Sequence, residues 1–523
     1  MSWKLLRVAV FLSLCLGLAG KARAQKTPET TPAAEAWERE GRNNQKAIED
    51  DTESIRLKNE EAEECCRTMW FAAFQGDLPQ ATAAYREFQA AYLGRKAAYL
   101  HRARCYETFG RWDKTIADCT EAIGLDPKNA AAYSVRGASY NYKREYDKAM
   151  ADCDQALALD PKYAEAYVNR GDVWMQKGKY DKALADCDKA LLLKPKLAKG
   201  YLIRGLVWSN KGEHDKAIAD WEKGLAITPD DWKLLNDLGV VFWQKAQEQD
   251  WLAAKAEAAG DLEAAKACRQ KSVALKNDAK AKWNRGITVR PTASDIHSNL
   301  GYAYSEANDL DKAEWHLRQA VEFMPSLSRP HNNLGRVLSR RSQQLDTDAR
   351  AAEGKGKSDP AAAAKATQLK DEAKTKRDLA IEQFEMAVEL EPTLLEARLN
   401  LGEVHLALND LNKAEAQYRA IMELRPESVK DRETVNNFSQ ACYGLARVAF
   451  ARKKSDEAIE DLQKAIQFNP QNVAAMQTLA VQRFQRGENR EGEQCLRRLL
   501  ALLPAARRPV VEEQVRKTVR VGR

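Results

Sequence analysis

Prolines divide this chain at a fixed step. Pro127, Pro161, Pro195 and Pro229 stand 34 residues apart, as do Pro291 and Pro325, Pro392 and Pro426, and Pro470 and Pro504. Proline cannot donate the hydrogen bond that a helix interior needs, so each one starts or stops a helix. A chain of 523 residues is too long for one ordinary core and folds as several domains or as a repeat array. The regular step selects the array. Gly (26) and Pro (16) are sparse while Ala, Leu, Lys, Glu and Arg abound. That composition favours helix and excludes a β-sandwich, a barrel or wholesale disorder.

Counting back from each proline, the same slots hold the same kinds of residue. One holds Gly137, Gly171, Gly205, Gly239, Gly301, Gly335 and Gly402, and three residues later several units carry Tyr140, Trp174, Trp208, Phe242 or Tyr304. Another holds Ala149, Ala183, Ala217, Ala313, Ala380, Ala414 and Ala458. Small residues let two helices approach closely, and aromatics fill the gaps between neighbouring pairs. Between the two helices of a unit, Gly76, Gly110, Gly178, Gly212 and Gly487 recur, with Asn308 and Asn409 standing in. Gly and Asn tolerate the left-handed conformation that ends a helix.

These slots resemble the tetratricopeptide repeat, W-x2-L-G-x2-Y, then A-x3-F, then P. The resemblance covers eleven units in register between about residues 62 and 506. It implies an all-α fold, a right-handed superhelical solenoid of helix–turn–helix repeats in which stacking supplies the core. The first unit, near 62–95, keeps Gly76, Ala81 and Tyr85 but has Met69, Ala72 and Leu93 at the Gly, aromatic and proline slots.

Three proline spacings are long. Pro229 to Pro291 carries 28 extra residues, centred on Gly260, and Pro325 to Pro392 carries 33, broken by Gly354, Gly356 and Pro360. Shared between two helices, 14 extra residues lengthen each by about 21 Å. Two helical hairpins are therefore expected to protrude. Ten extra residues before Pro470, "ESVKDRETVN", read as a linker or a lengthened helix start. The division that follows is a signal peptide at 1–24, a flexible polar tether at 25–61 and five units at 62–231. A unit with an extended hairpin spans 232–293, an ordinary unit 294–327, and a second hairpin unit 328–394. Three units fill 395–506, and 507–523 is a basic tail or capping helix.

The signal reading rests on basic "MSWKLLR", the apolar run "VAVFLSLCLGLAG" and the small-x-small site Ala22-Arg23-Ala24. Thirteen apolar residues fall short of the ~20 that cross a bilayer, and no other stretch is long and apolar enough. Cleavage after Ala24 lowers the net charge from +7 to +3, 79 bases against 76 acids. A nearly balanced surface makes no electrostatic case for nucleic acid. The expected setting is the periplasm or cell envelope, with secretion as the alternative and an uncleaved anchor still open.

Cys119, Cys153 and Cys187 occupy a slot that elsewhere holds Tyr85, Trp221, Trp283, Phe384, Tyr418 and Leu462. A slot that accepts all of these is a packing slot, so reduced core thiols are expected. Cys65 and Cys66 are adjacent, and the sequence leaves open whether one bonds Cys105 or both are plain thiols. None of the six histidines lies in H-E-x-x-H, and Cys-x-x-Cys, P-loop and nucleophile-elbow motifs are absent. The repeats leave no stretch for a catalytic domain, so no enzyme, cofactor or metal is expected.

In the family resembled, the slot two residues before the Gly faces a concave groove. Here it includes Asn169, Asp237, Asn299, Asn333 and Asn400. An Asn amide donates and accepts at once, so a row of them suits an extended peptide held by its backbone. The alternative is that each Asn satisfies a neighbouring helix. The chaperone-tail clamp of the family is matched by Asn169 and Lys199 but not by Ser134, Ala138 or Ile203. The expected function is a non-catalytic scaffold binding a protein or peptide, with the hairpins open to self-association. The rival is a permanent subunit of an envelope export or assembly complex.

Overall fold

The computed structural model describes residues 32–75, 78–356, 360–424, 432–503 and 507–521. The signal segment, residues 25–31 of the tether, Gly76, Pro426 and Pro504 lie outside these, as do the side chains of Met69, Ala72, Ala81 and Tyr85. Every regular element among the described residues is helical. The chain enters through α1 (Pro32–Gln75) and α2 (Leu78–Thr108), and α2 pairs onward with α3 (Trp112–Leu125). Further pairs are α4 (Ala130–Tyr142) with α5 (Tyr146–Leu159) and α6 (Ala164–Gln176) with α7 (Tyr180–Leu193). Then come α8 (Ala198–Asn210) with α9 (His214–Ile227) and α10 (Trp232–Ala258) with α11 (Leu262–Val289). The pairs α12 (Ser294–Glu306) with α13 (Leu310–Phe323) and α14 (Ser328–Gly356) with α15 (Pro360–Leu390) follow. The last are α16 (Leu395–Ala407) with α17 (Leu411–Glu423), α18 (Arg432–Ala451) with α19 (Ser455–Phe468), and α20 (Val473–Gln485) with α21 (Asn489–Leu502). Helix α22 (Arg508–Val521) closes the chain, burying Val511 and Val515 in the last apolar cluster.

The chain divides into two compact units. The first holds the described residues to Asp237 together with Thr288–Pro291, and the second holds the remainder. Within each, the second helix of a pair packs on the first helix of the next, and neighbouring first helices also touch. Local backbone chemistry sets this order. Gly110, Gly178, Gly212 and Gly487 close their turns with φ of 65 to 80°, and Asn308 and Asn409 do so at 61 and 59°. Arg144 and Lys453 adopt the same conformation at φ 62° without any local signal in their residue type. Asn129 caps α4 by accepting the Ala132 N–H at 3.2 Å, and Asn472 caps α20 by accepting that of Ala475 at 3.0 Å.

Packing follows the slots. Ala149, Ala183, Ala217, Ala313, Ala380, Ala414 and Ala458 are all fully buried. Each Gly slot receives one side chain from the second helix of its own pair: Cys153 on Gly137, Cys187 on Gly171, Trp221 on Gly205, Leu317 on Gly301 and Phe384 on Gly335. The aromatics three residues on are half-buried rather than core, and lysines cover them. The ammonium groups of Lys148, Lys182, Lys216 and Lys312 lie 4.5–5.4 Å from the rings of Tyr140, Trp174, Trp208 and Tyr304.

The extra residues before Pro291 and Pro392 lengthen both helices of each pair, to 27 and 28 residues in α10 and α11 and to 29 and 31 in α14 and α15. The seams of these hairpins extend the small slots outward in steps of seven. Gly239 is followed by Ala246 and Ala253, facing Ala279, Ser272 and Ala265; Gly335 is followed by Ser342 and Ala349, facing Ala380, Ala373 and Ala366. A seven-residue step keeps a narrow stripe turned toward its partner helix. Ser342 Oγ donates to the Ala373 carbonyl at 2.8 Å, so the one hydroxyl in that seam is satisfied. Buried Glu314 braces the second hairpin by accepting from Arg341 and, at 2.8 Å, from Lys376.

Two expectations fail at the N-terminus. Residues 32–61 are not a tether but most of the 44-residue α1, because Ile48, Ile55 and Ala62, seven apart, are buried. Ala84, Ala91, Ala98 and Cys105 form the matching stripe on α2. Nor does the first unit end near residue 95: its two helices are present, α1 to Gln75 packed on α2 from Leu78, but the second does not stop there. With exposed Leu93 in place of a proline, nothing stops α2, which runs unbroken for 31 residues.

Candidate functional site

The slot two residues before the Gly behaves differently in the two units. In the first it is largely closed: Val135, Asn169 and Ile203 are all buried. Asn169 Nδ2 donates to Ser134 O at 3.0 Å and Ser134 Oγ at 2.9 Å, and its Oδ1 accepts from Lys199 Nζ at 2.9 Å. That amide braces α4, α6 and α8 together. Asp237 is half-buried, accepting from Asn236 Nδ2 at 3.3 Å. In the second unit Asn299, Asn333 and Asn400 are half-buried on α12, α14 and α16, which touch in succession. Asn400 Nδ2 donates to Oδ1 of buried Asn332 at 2.9 Å, joining α16 to α14.

Next to this slot runs a feature that the single-slot reading passes over. Arg102, Arg136, Arg170 and Arg204 each form a two-pronged ion pair with Asp118, Asp152, Asp186 and Asp220 at 2.7–2.8 Å. The free edge of each guanidinium reaches back to the preceding pair: Arg136 to Thr120 Oγ1 (3.1 Å), Arg170 to Asp154 (2.8 Å) and Arg204 to Asp188 (2.6 Å). Planar guanidinium suits this double duty, which the point charge of lysine does not. The signal is visible in the recurring "RG" and "ADC". Past Asp237 the Arg position holds buried Leu238, Leu300, Leu334 and Leu401, so apolar packing replaces the ladder in the second unit.

Polar side chains from consecutive first helices also converge in the first unit. Asp172 on α6 is drawn upward in pKa by burial, opposed by Lys199 and Lys233 and by hydrogen bonds from Gln176 and Asn141. Asn141 on α4 is itself buried, and its Oδ1 has no hydrogen-bond partner. Tyr142 is pushed up to about 12, first by burial and then by the charges of Asp172 and Glu107. Lys233 on α10 is solvent-exposed, yet its pKa is lowered by protein crowding, with Lys199 adding repulsion. The charge of Glu107 on α2 opposes that lowering weakly. Sequence reasoning missed Glu107, Asn141, Asp172 and Lys233, because their proximity arises only once several pairs have stacked.

The cysteines of the packing slot are core thiols. Cys119, Cys153 and Cys187 are fully buried, and burial pushes the first two up to about 12 and the third further. Cys65, Cys66 and Cys105 are free thiols. A cavity of about 470 Å³ lies elsewhere, among α19, α20 and α21, lined in part by Ile466, Met476, Leu479, Arg483 and Cys495.

Family comparison reads the same repeats. One tetratricopeptide repeat model matches residues 130–163, 164–197 and 439–472, and a second matches 72–130 and 372–429. These spans of the chain are tetratricopeptide repeats. Solved structures align with the chain at low identity. The human IFIT1 dimer with m7Gppp-AAAA is 16% identical over 82% of this chain and 90% of that one, with a TM-score of 0.46. Yeast Tom70 is 15% identical over 81% of this chain and 95% of its own, at 0.38. The thermophilic tetratricopeptide protein TTC0263 of Thermus thermophilus is 18% identical over 40% of this chain and 99% of its own, at 0.32. No curated protein matches the chain significantly by sequence. Tetratricopeptide repeats bind protein partners and are generally scaffolds rather than catalysts. Among the described residues no helix is long and apolar enough to cross a membrane.

Proposed function

We propose that this protein is an exported, non-catalytic adapter that holds an extended protein segment on the inner face of its first helices. The observation carrying this reading is the convergence of Asn141, Asp172, Lys199 and Lys233 from α4, α6, α8 and α10. Both charge signs and an unsatisfied amide oxygen are present, which suits the alternating donors and acceptors of a peptide backbone. Asn299, Asn333 and Asn400 on successive first helices offer a similar row in the second unit. Export follows from the N-terminal segment, with the periplasm or envelope preferred over secretion.

The rival is a permanent subunit of an envelope export or assembly complex, and the two lengthened hairpins, as docking or self-association surfaces, favour it. Crosslinking pull-down from the envelope fraction tests the first reading. Wild type is compared with a variant carrying Asn299→Ala, Asn333→Ala and Asn400→Ala and with one carrying Asp172→Ala and Lys233→Ala. An adapter loses its partner in at least one variant and in a salt wash. Retention of the same partner in both variants and through the wash favours the permanent subunit.

A further inference from the structure

We infer that Asp51, His101 and Cys105 form a binding site for a zinc-class divalent cation that clips α1 to α2. One donor atom from each of the three lies within 4.8 Å of the other two. His101 and Cys105 are one turn apart on α2, so both side chains leave the same face. Asp51 meets them from α1, and its Oδ2 lies 2.7 Å from His101 Nδ1. Imidazole nitrogen, thiolate and carboxylate together suit zinc; magnesium and calcium take oxygen ligands instead.

The geometry is nearly closed. Bonds of ~2.0–2.3 Å in a tetrahedral site place ligand atoms about 3.5 Å apart, so the widest gap must shrink by about 1 Å. His101 can supply that movement, since its side chain is 61% exposed. Cys105 is the fixed member, buried against Ile48 and Tyr106. Its backbone carbonyl accepts from Thr108 Oγ1 at 2.7 Å, and Asn44 on α1 donates to the same hydroxyl at 3.4 Å. Arg102, the neighbouring cation, is already neutralised by Asp118 and tied to Thr52, so it does not occupy the site. Cation entry forms the metal–sulfur bond as the S–H proton leaves to solvent. The exposed side at His101 leaves a fourth position for water or an added ligand.

Cobalt(II) is the probe, titrated into the untagged full chain under reducing conditions. One equivalent should give a thiolate-to-cobalt charge-transfer band in the near ultraviolet and visible bands of tetrahedral intensity, and zinc should bleach both. Cys105→Ser should abolish the charge-transfer band, and exposed His101→Ala should weaken binding at least tenfold while circular dichroism stays unchanged. Absence of the band in wild type, its survival in Cys105→Ser, or unaltered affinity in His101→Ala would overturn the site.

Discussion

Trp221 packs against Gly205 so closely that a Cβ on the glycine would sit 2.6 Å from the indole Cδ1, while the indole Nε1 donates to the Leu202 carbonyl at 3.1 Å. The glycine is the space into which the second helix sends its largest side chain. Gly205→Ala should therefore destabilise by about 1–3 kcal/mol, the usual cost of overpacking a core. Gly124, with nothing within 4 Å of its Cβ position, is the contrast. There, alanine should stabilise α3 by about 0.5–1 kcal/mol through helix propensity alone. Urea midpoints of the two variants should move in opposite directions.

The Arg170–Asp186 pair is a second fault line. Asp186→Ala leaves a largely buried guanidinium holding only exposed Asp154, and should cost about 3 kcal/mol in urea melts, near the lower end for breaking a buried pair. Replacing both partners with leucine, which the second unit carries at the Arg position, should cost less. A double variant as damaging as the single one would mean that the ladder contributes more than charge compensation.

How much of this was readable in advance depends on how many residues a feature needs. Pro127, Gly171, Ala183 and Asn409 each perform one backbone or packing task, so their positions announced the repeat and its turns. Helix α1 was illegible because its stripe has one apolar residue in seven, Ile48, Ile55 and Ala62, on an otherwise charged helix. The polar set around Asp172 was illegible for another reason: Asn141, Lys199 and Lys233 come from other first helices and act on Asp172 only after those pairs have stacked. Asn169 shows the limit of a family position taken alone, since the same slot is closed between helices here.

Raised thiol pKa values carry a sign. A thiol whose folded pKa lies above its ordinary 9.0 contributes stability below pH 9 that is lost as pH rises toward about 12, as for Cys119 and Cys153. Each should remove about 1.4 kcal/mol per pH unit in that window. Stability measured between pH 8 and 11 should fall less steeply in a Cys119→Ala, Cys153→Ala variant. In native protein at pH 8, maleimide should label exposed Cys66 and leave both buried thiols untouched.

The second unit should be acid-sensitive. His316 is lowered to about 3, by burial first and then by the charges of His297 and Lys312; His297 Nδ1 lies 3.0 Å from its own Nδ1. Tyr304 and Trp315 pack around it. A histidine held neutral in the fold contributes stability above its unfolded pKa of about 6.5, and loses it as pH falls. Between pH 7 and pH 5 this amounts to about 2 kcal/mol. His316→Phe should flatten that dependence in urea melts, and an unchanged slope would assign it to other groups.

Site-resolved photocrosslinking is the most direct check on the adapter reading. A photoreactive amino acid is placed at exposed Lys233 on a first helix, or at exposed Leu192 on the second helix α7, in cells that make the protein. A discrete adduct is expected from position 233 and none from position 192, with the adduct reduced by Asp172→Ala. An adduct from position 192 alone, or equal adducts from both, would contradict a partner held on the inner face.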